Sequence, residues 1–310
     1  MKKVSLLFPG QGSQYVGMGL DLFEKFDVAK EIYLKAESIL GYDIKEISFN
    51  GPSEKLKNTE ICQPAIFLHS IILFELLKER GISFNYAAGH SLGEYTAITA
   101  ANAVDFESGL KIVKRRGELI KEASEQNPGG MAAIIGLERK KVEEICSELG
   151  RNGLLQLVNF NSPNQIVISG SNELITQAIE KAKLDGALKA VKLEVSGAFH
   201  SNFMEPAYYG IIEYLKNISF KKPQFPIVSN VTAKPMTEQD EIKKNVTKQI
   251  ISAVMWEDSM RFMLNEGVDV FIELGPGGVL KGLLKRIDKN AFCLGIDKAD
   301  DLDELSKIFN

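Results

Sequence analysis

The chain has 310 residues, 45% of them hydrophobic and 25% charged, the composition of a folded globular protein with one large or two medium domains. Its 37 basic and 41 acidic side chains leave a net charge of −4, so no overall basic field points to nucleic acid. Cys62, Cys146 and Cys293 lie far apart without a C-x-x-C pair, and His69, His90 and His200 lack zinc-ligand spacing, so neither a disulfide framework nor a metal site is expected and a reducing compartment is.

The basic start Met1-Lys2-Lys3 and the apolar run 4–8 look briefly like a secretory leader, but Pro9-Gly10-Gln11-Gly12 cuts the run short. A strand over 4–8 followed by a Gly-rich turn is expected instead. The turn fails as a dinucleotide loop, because G-x-G-x-x-G needs glycine where Tyr15 stands. It is either a plain tight turn or a source of backbone N–H groups for a neighbouring site. Apolar spacing predicts a helix over 20–40 and a stronger one over 61–80, where His69 reads as a satisfied core histidine. No run reaches transmembrane length, since 66–77 is interrupted by His69, Ser70 and Glu75. A cytoplasmic protein with no membrane partner is therefore expected.

A short apolar run, 82–88, leads into Gly89-His90-Ser91-Leu92-Gly93, which fits the nucleophile-elbow pattern G-x-S-x-G. On a tight strand-to-helix turn the serine hydroxyl projects into open space, and the positions two before and two after must be nearly free of side chain. The small-residue stretch 94–101 can pack as a helix close to a sheet, which favours a nucleophile over a plain turn. An amphipathic helix over 106–123 carries Lys111, Lys114, Arg115 and Arg116. The two arginines lie about 100° apart around the axis, so they cannot share one environment, and whichever faces inward needs an anion.

Asn127-Pro128-Gly129-Gly130 marks a boundary. Beyond it, strands over 131–137, 154–160, 165–169 and 187–195 alternate with helices over 138–149 and 172–184. The order βαββαβ is that of the ferredoxin-like plait, so residues 128–196 are expected to form a small domain inserted between 1–127 and 197–310. The next turn, Gly197-Ala198-Phe199-His200-Ser201, offers the best base for a serine, since His90 in the elbow points elsewhere. The remainder predicts helices over 207–216, 246–264 and 279–286, strands over 226–229 and 270–274, and the turn Gly275-Pro276-Gly277-Gly278. Outside the insert, strands alternating with helices imply a parallel sheet covered on both faces.

Several stretches in this order and spacing resemble the malonyl-CoA–acyl carrier protein transacylases over essentially the whole chain. They are Phe8-Pro9-Gly10-Gln11-Gly12-Ser13-Gln14, Gly89-His90-Ser91-Leu92-Gly93-Glu94-Tyr95, Arg116-Gly117, Gly197-Ala198-Phe199-His200-Ser201, Gln249 with Trp256, and Glu273-Leu274-Gly275-Pro276-Gly277. The resemblance implies an α/β fold: a hydrolase-like large domain with a parallel sheet and nucleophile elbow, plus the small ferredoxin-like insert. It implies that Ser91 takes up the acyl group, His200 is its base and Arg116 binds the malonyl carboxylate. The N–H groups of Gln11 and Leu92 would form the oxyanion hole. Gln249 would orient His200 through its main-chain carbonyl, although Ala253 stands where the family often has proline. Phe199 looks like the malonyl rather than the methylmalonyl version of its turn.

The implied reaction moves malonyl from malonyl-CoA to the phosphopantetheine thiol of acyl carrier protein by double displacement. It needs no cofactor, since the CoA thioester and the carrier-protein phosphopantetheine are both substrates, and a monomer is expected. Because carrier proteins are acidic, docking calls for a local basic patch; Lys281, Lys285, Arg286, Lys183 and Lys189 are candidates, or else ordinary solvated side chains. Three rival readings are a serine hydrolase, a free-standing acyltransferase of polyketide assembly and an inert scaffold. Arg116 without a triad acid argues against the first, and an intact Ser91, His200 and Arg116 against the last.

Overall fold

A computed structural model of the chain describes residues 2–150 and 154–309. Met1 of the basic start, and residues 151–153 and 310 of the expected domain ranges, lie outside the described residues. The chain opens with β1 (Val4–Phe8), α1 (Leu20–Lys25), α2 (Asp27–Leu40), α3 (Ile44–Asn50), α4 (Ser53–Leu56) and α5 (Thr59–Lys78). Next come β2 (Tyr86–Gly89), α6 (Leu92–Ala100) and α7 (Phe106–Gln126). A middle block holds β3 (Gly130–Ile135), α8 (Arg139–Leu149), β4 (Leu155–Ser162), β5 (Gln165–Gly170), α9 (Asn172–Leu184) and β6 (Lys189–Lys192). The last block is α10 (Glu205–Leu215), β7 (Ile227–Val228), β8 (Pro235–Met236), α11 (Gln239–Lys248), α12 (Trp256–Asn265), β9 (Val270–Leu274), α13 (Val279–Ile287) and β10 (Cys293–Ile296).

Two sheets result. The larger runs β10-β9-β1-β2-β7-β8, parallel except where β8 returns against β7 at the edge. Alternate side chains of β1 face opposite ways, as the two-residue strand period requires: Leu6 and Phe8 join the core with α5 and α7, Leu7 the core with α12 and α13. The smaller sheet is antiparallel, in the order β4-β5-β3-β6. One of its faces packs on α8 and α9 through Ile134, Ile145 and Ala178. The other face presents Met131, Val158 and Val167 toward Val195 and Phe199.

Several element boundaries differ from expectation. The helix over 20–40 is two helices, because Phe26 is extended (φ −124°, ψ 127°) between α1 and α2. The helix over 246–264 is also broken. After α11 a 3-10 turn covers Gln249–Ile251, and Ser252 is extended (φ −117°, ψ 152°). Val254 then pairs with β4: its N–H donates to Val158 O at 2.8 Å and its carbonyl accepts from Phe160 N at 3.0 Å, which covers that sheet edge. The runs 82–88 and 187–195 shrink to β2 and β6, each starting only where a neighbouring strand lies alongside.

One expectation needs correcting outright. By length and composition α5 is sufficient to cross a membrane, although 83% of its apolar stretch is buried inside the protein, where it packs against α7. His69 on α5 is fully buried but only half satisfied. Its Nε2 lies 2.9 Å from the Asp297 carbonyl and 3.0 Å from its Oδ1, while Nδ1 has no partner among the described residues. The cysteines are unpaired, Cys62 and Cys146 buried and Cys293 half-buried. Burial pushes all three thiols up, Cys146 and Cys293 to about 12.

Candidate active site

β9, β1, β2 and β7 are adjacent and parallel, so the turns that follow them converge at one edge, where open α/β sheets gather their ligands. Phe8 and Gly89 are register partners at the ends of β1 and β2, and the 10–14 turn therefore leaves the sheet beside the elbow. A Cβ on Gly10 would lie 2.4 Å from the His90 carbonyl oxygen, and one on Gly93 1.9 Å from the Phe8 oxygen. Only glycine lets these backbones come so close.

Ser91 sits at φ 53°, ψ −105°, a strained conformation for a residue with a side chain. Bonds from distant residues hold it there. Asn230, just beyond β7, accepts the Ser91 N–H on Oδ1 at 2.7 Å and donates from Nδ2 to Gly89 O at 2.7 Å. Gln249 Nε2 donates to Ser91 O at 2.7 Å.

The Ser91 hydroxyl lies 2.7 Å from His200 Nε2. His200 Nδ1 lies 2.9 Å from the Gln249 main-chain carbonyl. A carbonyl only accepts, so that pairing assigns the ring proton to Nδ1 and leaves Nε2 with a lone pair facing the serine. Burial, followed by the Arg116 charge, pushes the imidazole down to about 3, against the opposing pull of the Gln249 carbonyl. His200 is therefore neutral near pH 7, the state a base requires. His90 turns away, its Nε2 2.7 Å from Asn161 Oδ1 and its ring 5.4 Å from that of Trp256.

Arg116 on α7 is 3% exposed. Its Nη2 donates to Ser91 Oγ and to Gln249 Oε1, both at 3.0 Å, and its Nη1 donates to Gln63 Oε1 at 2.7 Å. The guanidinium lies 5.0 Å from the Tyr95 ring centroid, and its Nε has no hydrogen-bond partner among the described residues. Burial lowers its pKa, with Tyr95 and Glu94 opposing. Residues 91, 116 and 200 thus meet at one point, and Gln249 reaches it with both its carbonyl and its side chain.

Gln11 and Leu92 line the same cavity. Leu92 is the first residue of α6, so its N–H is one of those a helix leaves unused. The Gln11 side chain takes part as well: Thr59 Oγ1 donates to its Oε1 at 2.7 Å, and Gln63 Nε2 donates to Thr59 Oγ1 at 3.1 Å. A chain of hydrogen bonds therefore links the 10–14 turn to Arg116.

Sequence reasoning missed Gln63, Asn230 and Glu94. Glu94 is fully buried on α6, and burial raises its carboxyl to about 7 while Asn230, Gln249 and Arg116 pull the other way. It carried a visible signal, as the only charged side chain other than His90 over residues 86–104. Gln63 and Asn230 gave no comparable sign. The cavity above these groups holds about 250 Å³; Met131 and Val167 of the small sheet, Phe199 and Ile250, and Val279 and Leu283 of α13 make most of its wall apolar, and Asn159, Asn161 and Gln165 add polar groups. Among the described residues, no three His, Cys, Asp or Glu side chains converge to share a metal ion.

The profile of the acyl transferase domain family matches residues 6–295. Malonyl CoA-acyl carrier protein transacylase of Bacillus subtilis is 40% identical over 304 residues, covering 98% of this chain and 96% of that protein. A solved acyl carrier protein S-malonyltransferase from Vibrio cholerae superposes with a TM-score of 0.94 at 37% identity, over 98% of this chain and 99% of its own. A malonyl-transacylase solved in complex with its type II PKS acyl-carrier protein gives a TM-score of 0.96 at 35% identity, over 99% of each chain.

Proposed function

This chain belongs to the malonyl CoA-acyl carrier protein transacylases, and from that premise we propose that it carries malonyl from malonyl-CoA to the phosphopantetheine thiol of acyl carrier protein through a malonyl-Ser91 ester, supplying extender units for fatty acid synthesis. It is an acyltransferase. Arg116 carries the reading: a buried guanidinium 3.0 Å from the nucleophile oxygen, whose direct hydrogen-bond partners are all neutral. A planar fork of donors grips a carboxylate by two charge-assisted bonds, and a malonyl group brings one at the right end. An acetyl group would leave the same donors unpaired and is expected to be rejected.

In the first half-reaction Ser91 Oγ attacks the thioester carbonyl as its proton passes to His200 Nε2. The C–S bond breaks, and His200 returns the proton to the departing CoA sulfur. In the second half-reaction the carrier thiol gives its proton to His200 and attacks the ester, and Ser91 Oγ leaves with that proton. The N–H groups of Gln11 and Leu92 stabilise the oxyanion in both halves, each worth about 10²–10³ in rate. A carbonyl on Nδ1 fixes the tautomer without adding a charge, which is sufficient where the leaving group is a thiolate. The CoA thioester and the carrier thiol are both substrates, so no cofactor enters.

The larger sheet with its elbow is read as a hydrolase-like domain, residues 1–127 and 197–310, and residues 128–196 as a ferredoxin-like insert. The strand order β4-β5-β3-β6 supports the insert. The enzyme is proposed to work as a cytoplasmic monomer, with no nucleic-acid or membrane partner. For the acidic carrier we favour the exposed Lys281, Lys285 and Arg286 on α13, whose Val279 and Leu283 border the cavity. Raising ionic strength should then raise KM for the carrier protein, because exposed charges are screened by salt; an unchanged KM rejects this face. The central test is intact-protein mass after mixing with malonyl-CoA. The native chain should gain one malonyl group and Ser91→Ala none; a native chain that stays unmodified overturns the reading.

A further inference from the structure

Malonyl transfer as derived leaves one buried carboxyl without a task. Glu94 follows the nucleophile by three residues on α6, and solvent does not reach it. Its Oε1 accepts the Asn230 backbone N–H at 2.9 Å, and its Oε2 accepts Gln249 Nε2 at 2.6 Å. From these two oxygens two arms diverge. One passes through Asn230, whose side chain grips Ser91 N and Gly89 O, and so supports the elbow whichever acyl group arrives. The other passes through the Gln249 amide to Arg116.

The second arm has a direction. A guanidinium donates and does not accept, so Gln249 must turn its Oε1 toward Arg116 Nη2, which leaves its NH₂ for Glu94 Oε2. Reversed, the amide would set N–H against N–H. The same geometry explains why the carboxylate stands one amide away. In direct contact with Arg116, Glu94 would occupy the place of a substrate carboxylate. At one remove it holds the amide that holds the guanidinium and leaves that place to the substrate.

We propose that Glu94 is a positioning residue for malonyl selectivity, acting through the Gln249 amide to hold the Arg116 guanidinium where a substrate carboxylate engages it. The proposal rests on the malonyl-transfer reading.

Its test is the ratio of malonyl to acetyl loading on Ser91, followed by mass from the two CoA esters, in the native enzyme, Glu94→Gln, Gln249→Leu and the double variant. A ratio does not depend on how much of a preparation is folded. Glu94→Gln should lower it by about tenfold or more, the size expected of directly coupled groups, and the double variant should match Gln249→Leu alone. If Glu94→Gln slows both acyl groups equally, Glu94 only supports the elbow and the proposal falls. If the two variants multiply instead, Glu94 does not act through Gln249 and the proposal falls as well. Should Glu94→Gln not fold, Glu94→Asp carries the same ratio test, because it keeps the carboxyl but draws it back from Gln249 by one methylene. A native enzyme that takes no malonyl at all refutes the underlying reading, not this inference.

Discussion

Arg115 and Arg116 are neighbours on α7, yet Arg115 reaches outward between Glu118 and Glu122, at 3.0 and 3.1 Å, while Arg116 turns into the core and meets only amides, a hydroxyl and an aromatic face. The half-buried outer cation is given two carboxylates of its own and gains little from them, since solvent still reaches it. The buried cation, for which an anion matters most, is given none in direct contact. Such an arrangement is costly for stability alone. It makes sense if the missing anion arrives with the substrate.

The contrast breaks most sharply at Arg116. Arg116→Ala should lower malonyl loading of Ser91 by about 10²–10³-fold and raise acetyl loading relative to it, the range expected for removing one member of a buried charge pair. Arg116→Lys should not restore the ratio, because a point charge cannot form the two parallel bonds. Loading assays with both CoA esters would show it; an unaltered ratio removes the role assigned to this residue. Gly10→Val comes next. Its side chain would collide with the His90 carbonyl and push the turn away from the elbow, so both acyl groups should slow by about 10²–10³-fold. Gln11→Ala keeps the backbone donor and loses one neutral hydrogen bond to Thr59, so the loss should stay below about tenfold. Equal damage from the two would mean that the Gln11 side chain, not its N–H, serves the reaction. The smallest effect belongs to Arg115→Ala, a stability change of about 1 kcal/mol or less that shrinks further in salt. A thermal-melt loss well beyond that would place Arg115 under the same rules as its neighbour.

How far the sequence led depended on whether the deciding contact was local. The elbow was legible because its glycines are demanded within five residues, and the βαββαβ order because each element carries its own period. Periodicity ran straight through Phe26 and through 252–255, where no apolar position is missing. The second break comes from Val254 pairing with β4, about a hundred residues away, which no sequence window contains. The short edge strands β8 and β10 were likewise unseen, having too few residues for a pattern. In the site, the argument that one of two adjacent arginines faces inward did not say which; resemblance supplied that. Asn230 and Gln63 act on the elbow and on Arg116 from remote strands and helices, so their roles appear only once the fold has brought them together.

The placement of the cysteines, Cys62 and Cys146 buried and Cys293 half-buried, has a corollary at the bench. Disulfide reagents react with thiolates, and a thiol held near 12, as Cys146 and Cys293 are, is almost never ionised at neutral pH. Free coenzyme A released in the first half-reaction can thus be followed by colour over a low protein background, to which the half-buried Cys293 is the expected contributor.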